Sequence, residues 1–190
     1  MFIDYVGLLL INMSAGLFLL AGYLYKGIES KQQKKWSPAL AISGFIATSY
    51  GCHMTWHWPL PGSYNVAFGE MSVLLGALFL GAAFCLAMDW DMLIVAAYGF
   101  FSGLAATIVG CRIINLGMTK EPLIAGIGFI LTGLCGIFSA PALYFRANRF
   151  FRLLGSITLI IAALIWARTG YMACWSHLAD LAKWMPATMR

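Results

Sequence analysis

MSVLLGALFLGAAFCLAM, residues 71–88, contains no charged side chain and no proline. Extended upstream to Asn65, the run is long enough to cross the ~30 Å hydrocarbon core of a bilayer as a helix, which takes ~20 apolar residues. The run is bounded by Pro59, Pro61 and Gly62 on one side and by Asp89-Trp90-Asp91 on the other. These are turn-forming and polar residues that a membrane-crossing helix excludes.

Working outward, the same reading recurs along the chain. Apolar runs at about 4–25, 38–56, 65–88, 92–111, 122–145 and 151–174 predict six transmembrane helices joined by short loops. Of the 190 residues 62% are hydrophobic and only 10% charged, whereas a soluble domain keeps about a quarter of its residues charged. The spans use nearly the whole chain, so 1–190 reads as a single all-α transmembrane domain. Met1-Phe2-Ile3-Asp4 lacks the positive charge of a signal peptide, and the first run is read as a retained helix. Ser37 is placed to cap the second span, with Pro38 at its first helical position. Thr119 is placed likewise before Pro122. A short amphipathic tail is expected from His177 to Arg190.

Basic residues set an orientation. Lys26, Lys31, Lys34, Lys35, Arg146, Arg149 and Arg152 fall in the loops after spans one and five, and Arg112, Lys120, Lys183 and Arg190 on the opposite side. The richer side belongs in the cytoplasm, which places both termini outside, in the cell membrane. Trp56, Trp58, Tyr64, Tyr171, Trp175 and Trp184 form the expected outer aromatic belt, with Trp36 and Trp90 at the inner boundary. The net charge of +5 is thus an orientation signal rather than a sign of nucleic-acid binding. Gly99 and Gly103 form a small-xxx-small pair that suits close helix packing. No internal repeat and no inverted transporter repeat is evident.

All three histidines fall on the predicted outer side. His53 and His57 end span two at a spacing of four, which puts them on one helical face. His177 follows span six. Together the three suit a metal such as copper, with zinc or iron as alternatives. A haem b held by His177 and one of the span-two histidines is the other form of the idea. Asp4 and Glu70 fall near the same level and could add ligands or orient imidazoles. Arg168 lies deeper and needs a counter-charge, for which Glu70 or Asp4 is at hand.

Each residue also has a plainer reading. An interfacial imidazole can simply hydrogen-bond headgroups. Carboxylates near helix N-termini complement the dipole, and an arginine can snorkel. Met13, Met54, Met71 and Met172 suit packing more than a soft metal. The five cysteines form no CxxC pair. Cys52, Cys111 and Cys174 lie near the outer face, where a disulfide can form but the pairing is open. No phosphate-binding loop, dinucleotide fingerprint or HExxH motif is present.

The stretches His57-Trp58-Pro59-Leu60-Pro61 through Phe68-Gly69-Glu70, and Gly117-Met118-Thr119-Lys120-Glu121-Pro122 with the Gly-rich fifth span, resemble a multi-pass membrane family of archaea and bacteria that carries a domain-of-unknown-function label. The resemblance covers most of the chain. It implies a small polytopic membrane protein and supplies no activity, cofactor or site.

The expected function is a redox or metal-handling membrane protein with a His-ligated centre at the outer leaflet, whether as an oxidoreductase or a subunit of one. Its partners would be the lipid bilayer, a quinone and other membrane subunits. The rivals are a small-solute transporter or channel, in which Asp4, Glu70 and Arg168 line a polar path, and an accessory subunit of a larger membrane complex.

Overall fold

The computed structural model describes residues 4–182 and 184, which are helical with no strand among them. Lys183 and Arg190, which count towards the orientation above, and the end of the expected tail lie outside the described residues. Helix α1 spans Tyr5–Gly22 and widens into a π turn at Tyr23–Gly27. Helix α2 spans Ser37–His57, and α3 spans Met71–Met88 after a π turn at Asn65–Glu70. Then come α4 (Leu93–Leu116), α5 (Pro122–Ile137), α6 (Ser139–Tyr144) and α7 (Arg149–Asp180).

Local chemistry explains most boundaries. Asp4 caps α1 by accepting from the Gly7 N–H at 3.0 Å. Gly117 ends α4 with φ +63°, a left-handed position that suits glycine. Asn148 caps α7 through the Phe150 N–H at 2.9 Å. Five expectations shift. Helix α4 runs past Cys111 to Leu116, because no breaker intervenes before Gly117. The fifth span breaks at Phe138, since Pro141 has no N–H to donate to the Ile137 carbonyl. Helix α7 continues through Asp180, absorbing the first part of the expected tail. Ser37 does not cap α2. It is the first helical residue, and its hydroxyl donates to the Ala83 carbonyl at 2.8 Å. Thr119 does not cap α5 either, whose N-cap position is Glu121.

Four segments are long and apolar enough to cross a membrane: Tyr5–Gly27, Asn65–Met88, Leu93–Leu116 and Arg149–Asp180. Pro122–Ile137 is apolar but shorter. Helix α2 carries Ser43, Thr48, Ser49, His53, Thr55 and His57 and is the more polar element.

The helices pack as three tight antiparallel pairs: α1 with α7, α2 with α3, and α4 with α5. Looser contacts α1–α2, α3–α4 and α5–α7 close the pairs into a ring. Within α4–α5, a Cβ on Gly103 would stand 2.4 Å from the Gly133 carbonyl oxygen, and one on Gly110 2.7 Å from that of Gly126. Within α2–α3, a Cβ on Gly44 would stand 3.0 Å from the Gly76 oxygen, and one on Gly51 3.0 Å from that of Gly69. Backbone meets backbone in both, which is how helices gain contact where lipid removes the hydrophobic drive. Side-chain hydroxyls tie α1 to α7: Ser14 donates to the Ala163 carbonyl at 2.9 Å and Ser156 to that of Ala21 at 3.1 Å.

The two glycine-lined hairpins are copies of one pattern, which corrects the expectation of no repeat. Ser43-Gly44-x-x-Ala47-Thr48-x-x-Gly51-Cys52 in α2 matches Ser102-Gly103-x-x-Ala106-Thr107-x-x-Gly110-Cys111 in α4. The partner helical segments of the pattern, with Gly69 and Gly76 in one and Gly126 and Gly133 in the other, keep the same seven-residue step. The paired glycines are what make the repeat legible, since the intervening positions differ between the two copies.

The ring encloses an apolar cavity of about 500 Å³, walled by residues that include Leu17, Phe79, Ala106, Phe129 and Leu159.

Gly103→Leu and Gly44→Leu are expected to destabilise the folded protein by about 1–3 kcal/mol or more, as overpacking does. Gly81→Ala, whose new methyl meets only the Val95 side chain at 3.3 Å, is expected to be mild. Thermal unfolding of the detergent-solubilised variants measures the difference.

Candidate functional site

The histidine cluster is organised by the first turn of α1. Asp4 and Tyr5 are neighbours but reach in opposite directions. Asp4 Oδ2 accepts from His177 Nδ1 at 2.7 Å, while its Oδ1 caps the helix at Gly7. Gly7 makes this double use feasible, because a Cβ there would stand 2.6 Å from the carboxylate. Tyr5 turns to α2, where its hydroxyl shares a 2.9 Å hydrogen bond with His53 Nε2.

His53 and His57 do meet on one face of α2. Their rings stack with centroids 4.2 Å apart. His57 Nδ1 donates to the His53 carbonyl at 3.1 Å, which leaves Nε2 of His57 free as an acceptor. The Tyr5 ring stacks on the other side of His53 with centroids 5.3 Å apart. Tyr5, Ser49, Tyr50 and His53 line a shallow hollow of about 240 Å³.

His177 does not join this pair. Helix α1 packs against both α2 and α7, so its first turn stands between the two sets of imidazoles. Among the described residues no group of three His, Cys, Asp or Glu converges on a point that could hold a metal ion. The three histidines thus fall into two hydrogen-bonded units, Asp4–His177 and Tyr5–His53–His57.

Arg168 finds neither Asp4 nor Glu70. It pairs with Glu121 at the N-terminus of α5, through Nη2 to Oε1 at 2.9 Å and through Nη1 to Oε2. The pair is half-exposed and clamps α7 to α5 at the end of the bundle that carries the histidines. The guanidinium's hydrogen bonds hold the Glu121 carboxyl below the usual carboxylate range. Among the described residues no hydrogen bond or ion pair joins Glu70 to the histidines or to Arg168. The five cysteines are free thiols.

A family model covers residues 1–180 of the chain. The chain belongs to DUF981, a family described as protein of unknown function. No curated protein and no solved structure matches it. The histidine site of this DUF981 chain therefore has to be read from its own residues. Sequence reasoning missed Tyr5, Gly7 and Glu121. Glu121 carried a signal, as the acidic residue directly before Pro122 at the level of Arg168. Tyr5 carried none beyond its position beside Asp4.

The depressed Glu121 carboxyl gives a pH test. A carboxyl whose value is lowered by folding adds stability above its unfolded value and loses it as pH falls through the folded one. Wild-type protein is expected to melt above Glu121→Gln at neutral pH. The gap should close below about pH 4, where carboxylates protonate.

Proposed function

We propose that this DUF981 chain is a six-span membrane protein, with both termini outside, that binds a lipid-soluble molecule in its central cavity. The cavity carries the reading. Its lining is apolar and includes none of Asp4, Glu70 or Arg168, so it suits a hydrocarbon chain better than an ion path. An apolar void stays dry and takes apolar guests. Lipid is the guest at hand in a bilayer.

Six spans are supported by lengths as well as hydropathy. Helix α2 has 21 residues, about 31 Å of helix, and pairs along α3. Helices α5 and α6 continue one another across the break at Phe138. On α7 the pairs Arg152–Glu29 and Arg168–Glu121 bracket about 24 Å of apolar helix, close to the thickness of the hydrocarbon core. In this reading the Asp4–His177 and Tyr5–His53 contacts close the outer end of the ring.

The stacked His53–His57 pair favours a second reading, metal handling by two imidazoles beside the Tyr5 hydroxyl, with copper the best match to the ligands. Elemental analysis decides it: this reading requires stoichiometric copper, zinc or iron in the purified protein and its loss in His53→Ala/His57→Ala.

The cavity reading is tested by lipid extraction of purified protein. The wild type is expected to retain tightly held lipid through delipidating washes. Ala106→Phe, which fills the centre of the cavity, is expected to lose it while eluting as a single species. Equal retention by both proteins would refute the reading.

A further inference from the structure

The wall of the central cavity is not equally closed on all sides. Leu17, Phe79 and Leu159 line it and are still only 2%, 4% and 3% exposed, so the hollow itself contributes little exposure. The exposed residues of the wall are Phe138, Pro141, Phe151 and Leu154. All of them flank one seam. Phe138 and Pro141 come from the break in the fifth span and from α6, Phe151 and Leu154 from α7. Their exposure faces out of the bundle, and there the cavity meets the lipid.

The seam follows from the break. Up to Ile137, α5 packs against α7. Beyond Phe138, α6 lies along α4 and scarcely touches α7. The Ser139 hydroxyl sits 3.0 Å from the Ala96 carbonyl oxygen on α4. Gly99 leaves room for this contact, since a Cβ there would stand 2.9 Å from Ser139 Oγ. The chain thus turns towards α4 where Pro141 interrupts the helix, and Phe151 and Leu154 of α7 are left without a cover. These two residues flank Arg152, whose pair with Glu29 marks one end of the bundle. The seam therefore opens near the membrane surface.

The wall offers nothing to a headgroup. It contains no charged side chain. The hydroxyls of Ser72, Ser102, Thr132, Ser139 and Thr158 are each within hydrogen-bond distance of a backbone carbonyl, which engages their protons. The Tyr23 hydroxyl donates to Gln33. A polar group drawn inside would lose its water without replacement. The cavity is also long, since its α1 wall runs from Leu9 to Leu24, about 22 Å of helix. A volume of about 500 Å³ drawn out over that length is narrow, the shape of one chain rather than of two side by side.

We propose that the guest is one hydrocarbon chain of a bilayer lipid, threaded sideways through the seam between α6 and α7, with its headgroup left at the membrane surface. The proposal rests on the cavity reading above and adds the part of the lipid that is held and the route it takes. The chain passes from bilayer to cavity without crossing water, and the headgroup never leaves it.

Lipid exchange tests the route. Protein carrying unlabelled lipid is moved into nanodiscs of chain-deuterated phosphatidylcholine, and native mass spectrometry follows replacement of the bound lipid over time. Leu154→Trp, which narrows the seam from a position 52% exposed, is expected to slow replacement several-fold. Phe138→Ala, which widens the seam, is expected to speed it several-fold. Ile108→Trp, a change on α4 at a position 64% exposed and outside the cavity wall, should exchange like the wild type. Equal rates in all four proteins, or equal slowing by the two tryptophans, would overturn the seam as the route and leave the cavity reading standing. A wild type that carries no lipid would overturn both.

Discussion

Backbone-to-backbone contact at the glycine faces is the constraint on which the rest of the structure depends. In a bilayer, apolar side chains gain little by leaving lipid for one another. Helices hold together where they approach closely enough for many weak contacts and for hydroxyl-to-carbonyl bonds. Gly44, Gly51, Gly69 and Gly76 provide this for α2 and α3, and Gly103, Gly110, Gly126 and Gly133 for α4 and α5. The α1–α7 pair relies more on Ser14, Ser156 and the Asp4–His177 contact at its end.

Tight pairs have a geometric consequence. The small faces are spent inside each pair, so larger side chains, Phe79, Phe129 and Leu159 among them, line the cavity in the middle of the ring. Side chains of this bulk do not interdigitate as finely as glycine faces, and a ring of six leaves an axial void. The cavity and the pairing are thus two sides of one packing solution. The ion pairs among the described residues lie at the ends, Arg168–Glu121 and Asp4–His177 at one and Arg152–Glu29 and Lys34–Asp89 at the other.

Much of the fold was legible in composition and punctuation. The apolar runs located the helices, because a stretch such as residues 71–88 has no other stable home, and Asp4, Pro59 and Pro122 marked ends for local steric and hydrogen-bonding reasons, whereas Gly117, which ends α4, went unread. The break at Phe138 was harder to see. Pro141 signals it only when one asks which carbonyl loses its donor. The repeated hairpin was written in the sequence, but as six matching residues in ten, all small or hydroxyl-bearing. Their meaning emerges only when they are seen to face one another.

The candidate site was legible in part. The i, i+4 spacing correctly placed His53 beside His57, since helical geometry fixes that relation. It carried no information on where α7 lies relative to α2, and so could not foresee that α1 separates His177 from the pair. Arg168 needed a carboxylate, as argued from charge alone, but which one depended on α5 standing beside α7. The central cavity left no trace in the sequence, because a void is a property of how helices meet.

The most direct test of this account is an experimental structure of the protein in lipid nanodiscs at side-chain resolution. The account predicts three glycine-faced or hydroxyl-tied pairs around continuous elongated density, running among Leu17, Phe79, Ala106 and Leu159. A collapsed ring, with those side chains in mutual contact and no room for a chain, would contradict it.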